Sequence, residues 1–490
     1  MHPAVAEALV LALMGLSGIA GGLLLGVRRV IPLAVIGFGL AVAIRSLSAF
    51  ASWSLGRPDL SYDFWLGASV IVAVVGAALR WREWRAGVSA LGLFSGLSLG
   101  ALATKYLFDI GERHHSDSAD TVALALVQIQ SENSNIAELA NSPKRGIAYP
   151  LMLALGPEGR ILGGLTPLVF LMTLALSAWL VWELVGSTSH RAAFAISALA
   201  IGAYSLTVPM WRASMTYLNG HTLMGLAMVM LLASLLLYQR DDAFGALPAA
   251  LAGVGGVVGA TARAEGIVIV LLAVAALVSQ RGLSSRADRI RLASALIATG
   301  LSVTWWFGSL DSPVLDRFGT AEWLLIVASV LGGSLAAAPQ IDPIRRWIFP
   351  AAGLVLVVLL LRVVVSSGDP VGMVLSQWPN LGLGAGGWAT AASVFIGSLL
   401  LLGWRAQSES YRLSMVLTWL VIGGVLFSKT FDGGFGGAGF YDSVNRMWLH
   451  VAPLVLVTTA LGYTTFVSRI LTSPKRRTSE ANLGAVGTPQ

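Results

Sequence analysis

The 490-residue chain contains no cysteine, which excludes disulfides, thiolate zinc sites and thiol nucleophiles. Charge is nearly as scarce. Only 12% of the residues are Asp, Glu, Lys or Arg, against about 25% in a soluble domain of ordinary composition. With 56% hydrophobic residues and a mean hydropathy of +0.76, such a chain cannot cover a water-facing surface, so a soluble protein is excluded. Disorder is excluded as well, because disordered segments combine low hydrophobicity with high charge. Lysine is the rarest cation, four residues against twenty-eight arginines, a bias that with abundant Ala and Gly reads as a GC-rich bacterial genome.

What the sequence does have is long apolar runs. Fifteen are bounded by charges or turn residues, at about 4–27, 30–53, 64–79, 86–108, 162–185, 192–210, 222–238, 244–260, 266–280, 292–310, 323–338, 347–365, 388–402, 413–427 and 447–467. A spanning helix needs about 17 to 25 residues, and the short runs make the count 13 to 15. The runs are continuously apolar, without the period-two alternation of a barrel strand, so the expected fold is an all-α polytopic membrane bundle.

Orientation follows from the basic residues. With the N-terminus outside, nineteen basic residues face eight acidic ones on the cytoplasmic side, among them Arg28, Arg29, Arg80, Arg289 and Arg345. The outer side then holds eleven basic and seventeen acidic residues. The opposite orientation would invert the positive-inside bias. The formal net charge of +7 therefore reports topology and not a nucleic-acid partner. The first segment lacks a basic n-region, carries Glu7 and is followed by a second full span, so it does not read as a cleavable signal. Residues 468–490 read as a disordered cytoplasmic tail.

Polar residues gather in three outer stretches. The loop 109–161 is far longer than a connector and carries His114, His115, Asp117, Asp120, Glu132, Lys144 and Arg145. Within it, 121–140 reads as an amphipathic helix on the membrane surface, and 147–155 as an apolar segment too short to span. Asp117 is placed either to take a proton from an acceptor hydroxyl or to cap that helix, a task Ser118 or Asp120 could share. His114 and His115 read as solvated loop residues or, with Asp117, as metal ligands; adjacent histidines point in different directions on most backbones.

The second stretch is Thr261-Ala262-Arg263-Ala264-Glu265-Gly266, which joins two short apolar runs. An arginine there demands a partner, and Glu265 is nearest in sequence: either a structural ion pair or a binding site. The preceding Gly253, Gly255, Gly256 and Gly259 read as close helix packing rather than a phosphate loop. The third stretch, 429–450, is a glycine-rich loop running from Lys429 through Tyr441 and Asp442 to Asn445, Arg446 and His450 at a helix start. Arg446 is suited to bidentate phosphate binding or to anchoring at the interface. A smaller outer cluster holds Trp211, Arg212, Tyr217, Asn219 and His221. Arg45, near an outer end, is expected to snorkel, and Arg362, within a span, needs a partner or the same escape.

In this order, the three stretches resemble the C-type superfamily of integral-membrane glycosyltransferases, which transfer a sugar from a polyprenyl-phosphate carrier. His115-Ser116-Asp117-Ser118-Ala119-Asp120, followed by Arg145-Gly146-Ile147-Ala148-Tyr149-Pro150-Leu151, is similar to the family's acidic motif and the segment behind it. Arg263-Ala264-Glu265-Gly266 is similar to an Arg-Pro-Glu-Gly between later spans, and Tyr441-Asp442-Ser443-Val444-Asn445-Arg446-Met447 to a late outer-loop arginine motif. The resemblance implies a catalytic module over 86–467, preceded by three extra helices over 1–85. It implies Asp117 as general base with Asp120 second, and a donor phosphate held by Arg263, Arg446, Lys429 and His450. His115, Arg145, Tyr149, Glu265, Tyr441 and Asn445 become substrate-binding candidates.

The implied reaction is inverting attack by an acceptor oxygen on the anomeric carbon, outside the cytoplasmic membrane, on a lipid-linked or cell-envelope acceptor. The family's frequent Asp-Glu pair is here Asp117-Ser118, which leaves the base and a divalent cation open. A transporter or flippase for lipid-linked glycans is the alternative; it calls for internal repeats and midplane charges, whereas charge here collects at one outer face.

Overall fold

A computed structural model of the chain describes residues 3–54, 57–108, 148–156, 161–185, 220–238, 244–263, 266–279, 285–311, 320–367, 375, 378–381, 386–388, 393, 409–431 and 443–472. Of these, 91% are helical and none forms a strand. The chain is all-α. The principal helices are α1 (Pro3–Leu24), α2 (Val30–Ser54), α3 (Ser61–Leu79), α4 (Trp84–Leu107), α5 (Ala148–Leu153), α6 (Leu165–Val185), α7 (His221–Tyr238) and α8 (Leu247–Ala262). They continue with α9 (Gly266–Val278), α10 (Arg286–Asp311), α11 (Thr320–Ala337), α12 (Asp342–Ser367), α13 (Glu409–Phe431) and α14 (Ser443–Thr472).

Every apolar run except 192–210 and 388–402 coincides with one of these helices, and those two fall largely outside the described residues. Among the described residues, eight helices are long and apolar enough to cross a membrane. Their surroundings differ sharply. In α7, 94% of the apolar window is buried by protein, whereas in the window covering most of α12 only 11% is. The outward face of α12 presents Leu354, Val355, Val358, Leu361 and Val365, and α3 presents Ile71 and Val74. Continuous apolar faces of this kind are unsuited to water and compatible with a bilayer core.

Helices pack closely because small residues sit where backbones meet. A Cβ on Gly18 of α1 would lie 1.9 Å from the Gly37 carbonyl oxygen of α2, so those two helices touch backbone to backbone. On α8 the expected packing role of the glycines is observed. A Cβ on Gly255 would meet the Met230 Cβ of α7 at 2.9 Å, and one on Gly256 would meet Thr299 Oγ1 of α10 at 2.0 Å. Gly259 faces Val270 of α9 in the same way, at 2.7 Å. Thus α8 is wedged among α7, α9 and α10.

Charged residues sort to the two ends of the bundle. At one end the α1–α2 turn at Gly26 approaches Ala246, ahead of α8. There Arg28 and Arg80 pair with Glu83, and Arg29 with Glu183 at the end of α6. Further along, Arg289 pairs with Asp342. Arg345, 3% exposed, donates to the carbonyls of Val278 and Ala338 at the ends of α9 and α11. Of these, Arg80, Arg289 and Arg345 serve helix C-termini, donating to the carbonyls of Leu24, Ala337 and Val278.

The other end carries Glu7, Lys105, Arg45 and the candidate site. Glu7 of α1, 2% exposed, is paired with Lys105 at the end of α4. Arg45 does not snorkel as expected. It is 2% exposed, and its guanidinium donates to the Leu151 carbonyl at 3.2 Å and to the Ser61 carbonyl and hydroxyl at 2.9 and 2.6 Å. The physical reason is supply and demand. Near the end of α5 the Leu155 N–H turns back to Met152, which leaves the Leu151 carbonyl open to Arg45. Arg362 is exposed on α12, where its long side chain can leave an apolar face.

Candidate functional site

The arginine stretch and the late loop-to-helix stretch meet through two close backbone approaches. At the start of α7, a Cβ on Gly220 would lie 2.7 Å from the Ala262 carbonyl oxygen and 3.3 Å from Arg263 Cγ. The head of α7 is thereby seated on the end of α8, with Arg263 beside His221. One turn further, a Cβ on Gly225 would lie 2.9 Å from the Leu449 carbonyl oxygen and 3.3 Å from Pro453 Cγ. Pro453 has no N–H to give to Leu449, so that carbonyl is released from the α14 ladder where α7 presses on it.

These approaches set two imidazoles edge to edge. His221 Nδ1 and His450 Nε2 lie 2.8 Å apart, with ring centroids 4.9 Å apart and planes 31° from parallel. His221 is 3% exposed and His450 0%. The positive charge of Arg263 bears on both rings. Arg446 is half-buried and lies four residues before His450, on the same face of α14. The structure therefore brings together Arg263 and His450, with Arg446 one turn away, and adds His221. Isolated in sequence behind Trp211 and Tyr217, His221 carried no motif. Its signal was its position as the first residue of a helix immediately after a glycine.

Tyr149 sits elsewhere, on α5. It is fully buried and its hydroxyl is hydrogen-bonded to that of Thr166 at the start of α6. Burial holds its phenol above the usual range, the Thr166 hydrogen bond opposing. All six residues of α5 are buried, as suits a short segment embedded among α2, α6 and α8. Lys429 lies on α13 and Asn445 on α14, with their side chains outside the described residues. Asp117, Asp120, His115, Arg145, Glu265 and Tyr441 also lie outside them, as do the amphipathic segment 121–140 and the tail 473–490.

Chemically, the described cluster sets two buried imidazoles beside a guanidinium. Among the described residues no group of three or more His, Asp or Glu is arranged to hold a metal ion. The two imidazoles lie within hydrogen-bond distance of each other, and a guanidinium stands beside them, a charge that suits an anion. Arginines fixed at a low-dielectric site favour phosphate oxygens over water. No protein-family model matches this chain, and neither does any curated protein or solved structure.

Proposed function

We propose that the protein is an inverting membrane glycosyltransferase that moves a sugar from a polyprenyl-phosphate donor to a lipid-linked or cell-envelope acceptor. In this reading the chain crosses the plasma membrane about 15 times with its N-terminus outside. The active site then lies on the extracytoplasmic side. The single observation that carries the reading is the convergence of Arg263, His450 and His221 at one end of the bundle, with Arg446 a turn away. That end is opposite the one where Arg28, Arg29 and Arg80 gather. Arg263 and Arg446 hold the carrier phosphate, with Lys429 and His450 beside them.

Asp117 removes the proton of the acceptor hydroxyl as its oxygen attacks the anomeric carbon; the sugar–phosphate bond breaks with inversion, and the polyprenyl phosphate leaves with the electron pair. Asp120 is the second candidate for that base. Fixed positive charge near the leaving oxygen stabilises the transition state without reorganisation, because the groups are already in place. His115, Arg145, Tyr149, Glu265, Tyr441 and Asn445 complete the substrate contacts or support them.

The test is a transfer assay with purified protein and a polyprenyl-phosphate sugar. Asp117→Asn abolishes turnover while donor binding persists. Turnover that survives the substitution removes Asp117 from the mechanism.

A further inference from the structure

The paired imidazoles have a property that simple anion binding does not require. Two neutral histidines joined Nδ1 to Nε2 share one bridging proton, and that proton has two placements. If His450 Nε2 carries it, His450 Nδ1 is a bare acceptor; if His221 Nδ1 carries it, His450 Nδ1 is the protonated nitrogen. His450 Nδ1 is buried and makes no hydrogen bond. The pair thus presents, on its far side, a buried nitrogen able to change its protonation.

The charges around the pair decide when it takes a further proton. Of the elements packed on α7, α8 leads into Arg263, and α14 carries His450 and Arg446 near this end. α9 has no ionisable residue. α6 has only Glu183, paired with Arg29 at the far end, and α13 has Glu409 and Arg412 at the far end and Lys429 toward this one. A doubly charged anion beside Arg263 brings negative charge to the pair and favours a further proton on it.

We propose that the His221–His450 pair is a proton-linked part of the anion site: it takes up one proton from solvent when a phosphate monoester settles against Arg263, so anion and proton bind together. The proton adds to an imidazole nitrogen, no other bond changes, and the resulting shared imidazolium becomes a counter-charge to the phosphate. By linkage, the proton and the phosphate strengthen each other's binding by the same factor. This deepens the donor-site reading above and rests on it.

Calorimetry of the full-length, detergent-solubilised protein tests the inference, using farnesyl phosphate as the probe at about pH 7.5, where a phosphate monoester is already almost fully dianionic. Titrations in two buffers of different ionisation enthalpy give the protons exchanged per ligand bound. The expected result is uptake of at least about half a proton by the wild-type protein. His221→Gln and His450→Gln, which keep a hydrogen-bonding side chain that cannot titrate, lose the uptake and weaken binding by about tenfold.

Methyl phosphate, run in parallel, separates the sources of the ligand: tighter binding of the farnesyl ester assigns the isoprenoid carrier, and equal binding assigns a soluble phosphate ester. Farnesyl phosphate that binds wild type with the same heat in both buffers overturns the proton linkage and leaves the donor site standing. Failure of either ester to bind overturns both. The wild-type comparison decides the matter even where a variant fails to fold.

Discussion

Replacing Arg45 with methionine removes a guanidinium that ties three parts of the chain together: α2, the head of α3, and α5 beyond the long acid-rich loop. The side chain makes three hydrogen bonds, to the Leu151 carbonyl, the Ser61 carbonyl and the Ser61 hydroxyl. Hydrogen bonds from a charged donor contribute about 1.5–3 kcal/mol each. Against them stands the desolvation of a buried guanidinium, several kcal/mol, which methionine is spared. The balance is set by what remains. The Leu151 carbonyl and Ser61 stay buried with their acceptor groups open, at about 1–3 kcal/mol for each group.

The expected net loss is about 2–4 kcal/mol, concentrated at α5 and not spread over the bundle, which is roughly a 30- to 700-fold rise in local opening. Hydrogen–deuterium exchange over 148–156 reads it directly, with α7 as the internal reference. Arg45→Lys keeps the charge but not the fork of donors and falls between the two. Unchanged exchange at 148–156 in Arg45→Met would show that the guanidinium does not hold α5, and the reasoning would fail.

Other substitutions probe the remaining joints. Lys105→Met leaves the buried Glu7 carboxylate without its partner and destabilises by about 3–5 kcal/mol, seen as lower thermal stability in detergent; adding Glu7→Gln restores most of the loss. Gly18→Val drives a side chain into the Gly37 carbonyl and costs at least about 1–3 kcal/mol, whereas Gly332→Ala, which has open space around it, stays within about 0.5 kcal/mol of wild type in the same melt. Gly225→Leu pushes α14 off α7 at Leu449 and parts His221 from His450, so farnesyl phosphate binding weakens by about tenfold or more. Equal affinity would disconnect that helix contact from the site. Arg446→Ala lowers the thermal shift given by a polyprenyl phosphate; an undiminished shift removes Arg446 from phosphate binding.

The helices were legible because apolar runs of spanning length leave the backbone little alternative in a membrane, and boundaries such as Val30 and Leu79 agree to the residue. The glycines of α8 were legible for a related reason: several small residues in one apolar helix have little use but close approach. Arg45 was not. A guanidinium near a helix end looks the same in sequence whether it reaches for water or for a carbonyl, and its partner Leu151 lies 106 residues away. His221 was hidden in the same way, since its partner is 229 residues on and the contact depends on Gly225 and Pro453, which carry no chemical signature. Arg263, Arg446 and His450 could be singled out because charge and imidazole are rare in apolar surroundings. The proposed general base, Asp117, was read in the loop ahead of α5 and lies outside the described residues.

The most direct measurement is sugar transfer from a short polyprenyl-phosphate glycoside to an envelope-glycan acceptor by purified protein, with the anomeric configuration of the product assigned by NMR. The account predicts an inverted product and a rate reduced by about a hundredfold or more in Arg263→Gln, the size expected for losing a preorganised charge contact to the leaving group. Transfer with retention, or a rate in Arg263→Gln equal to wild type, would contradict it.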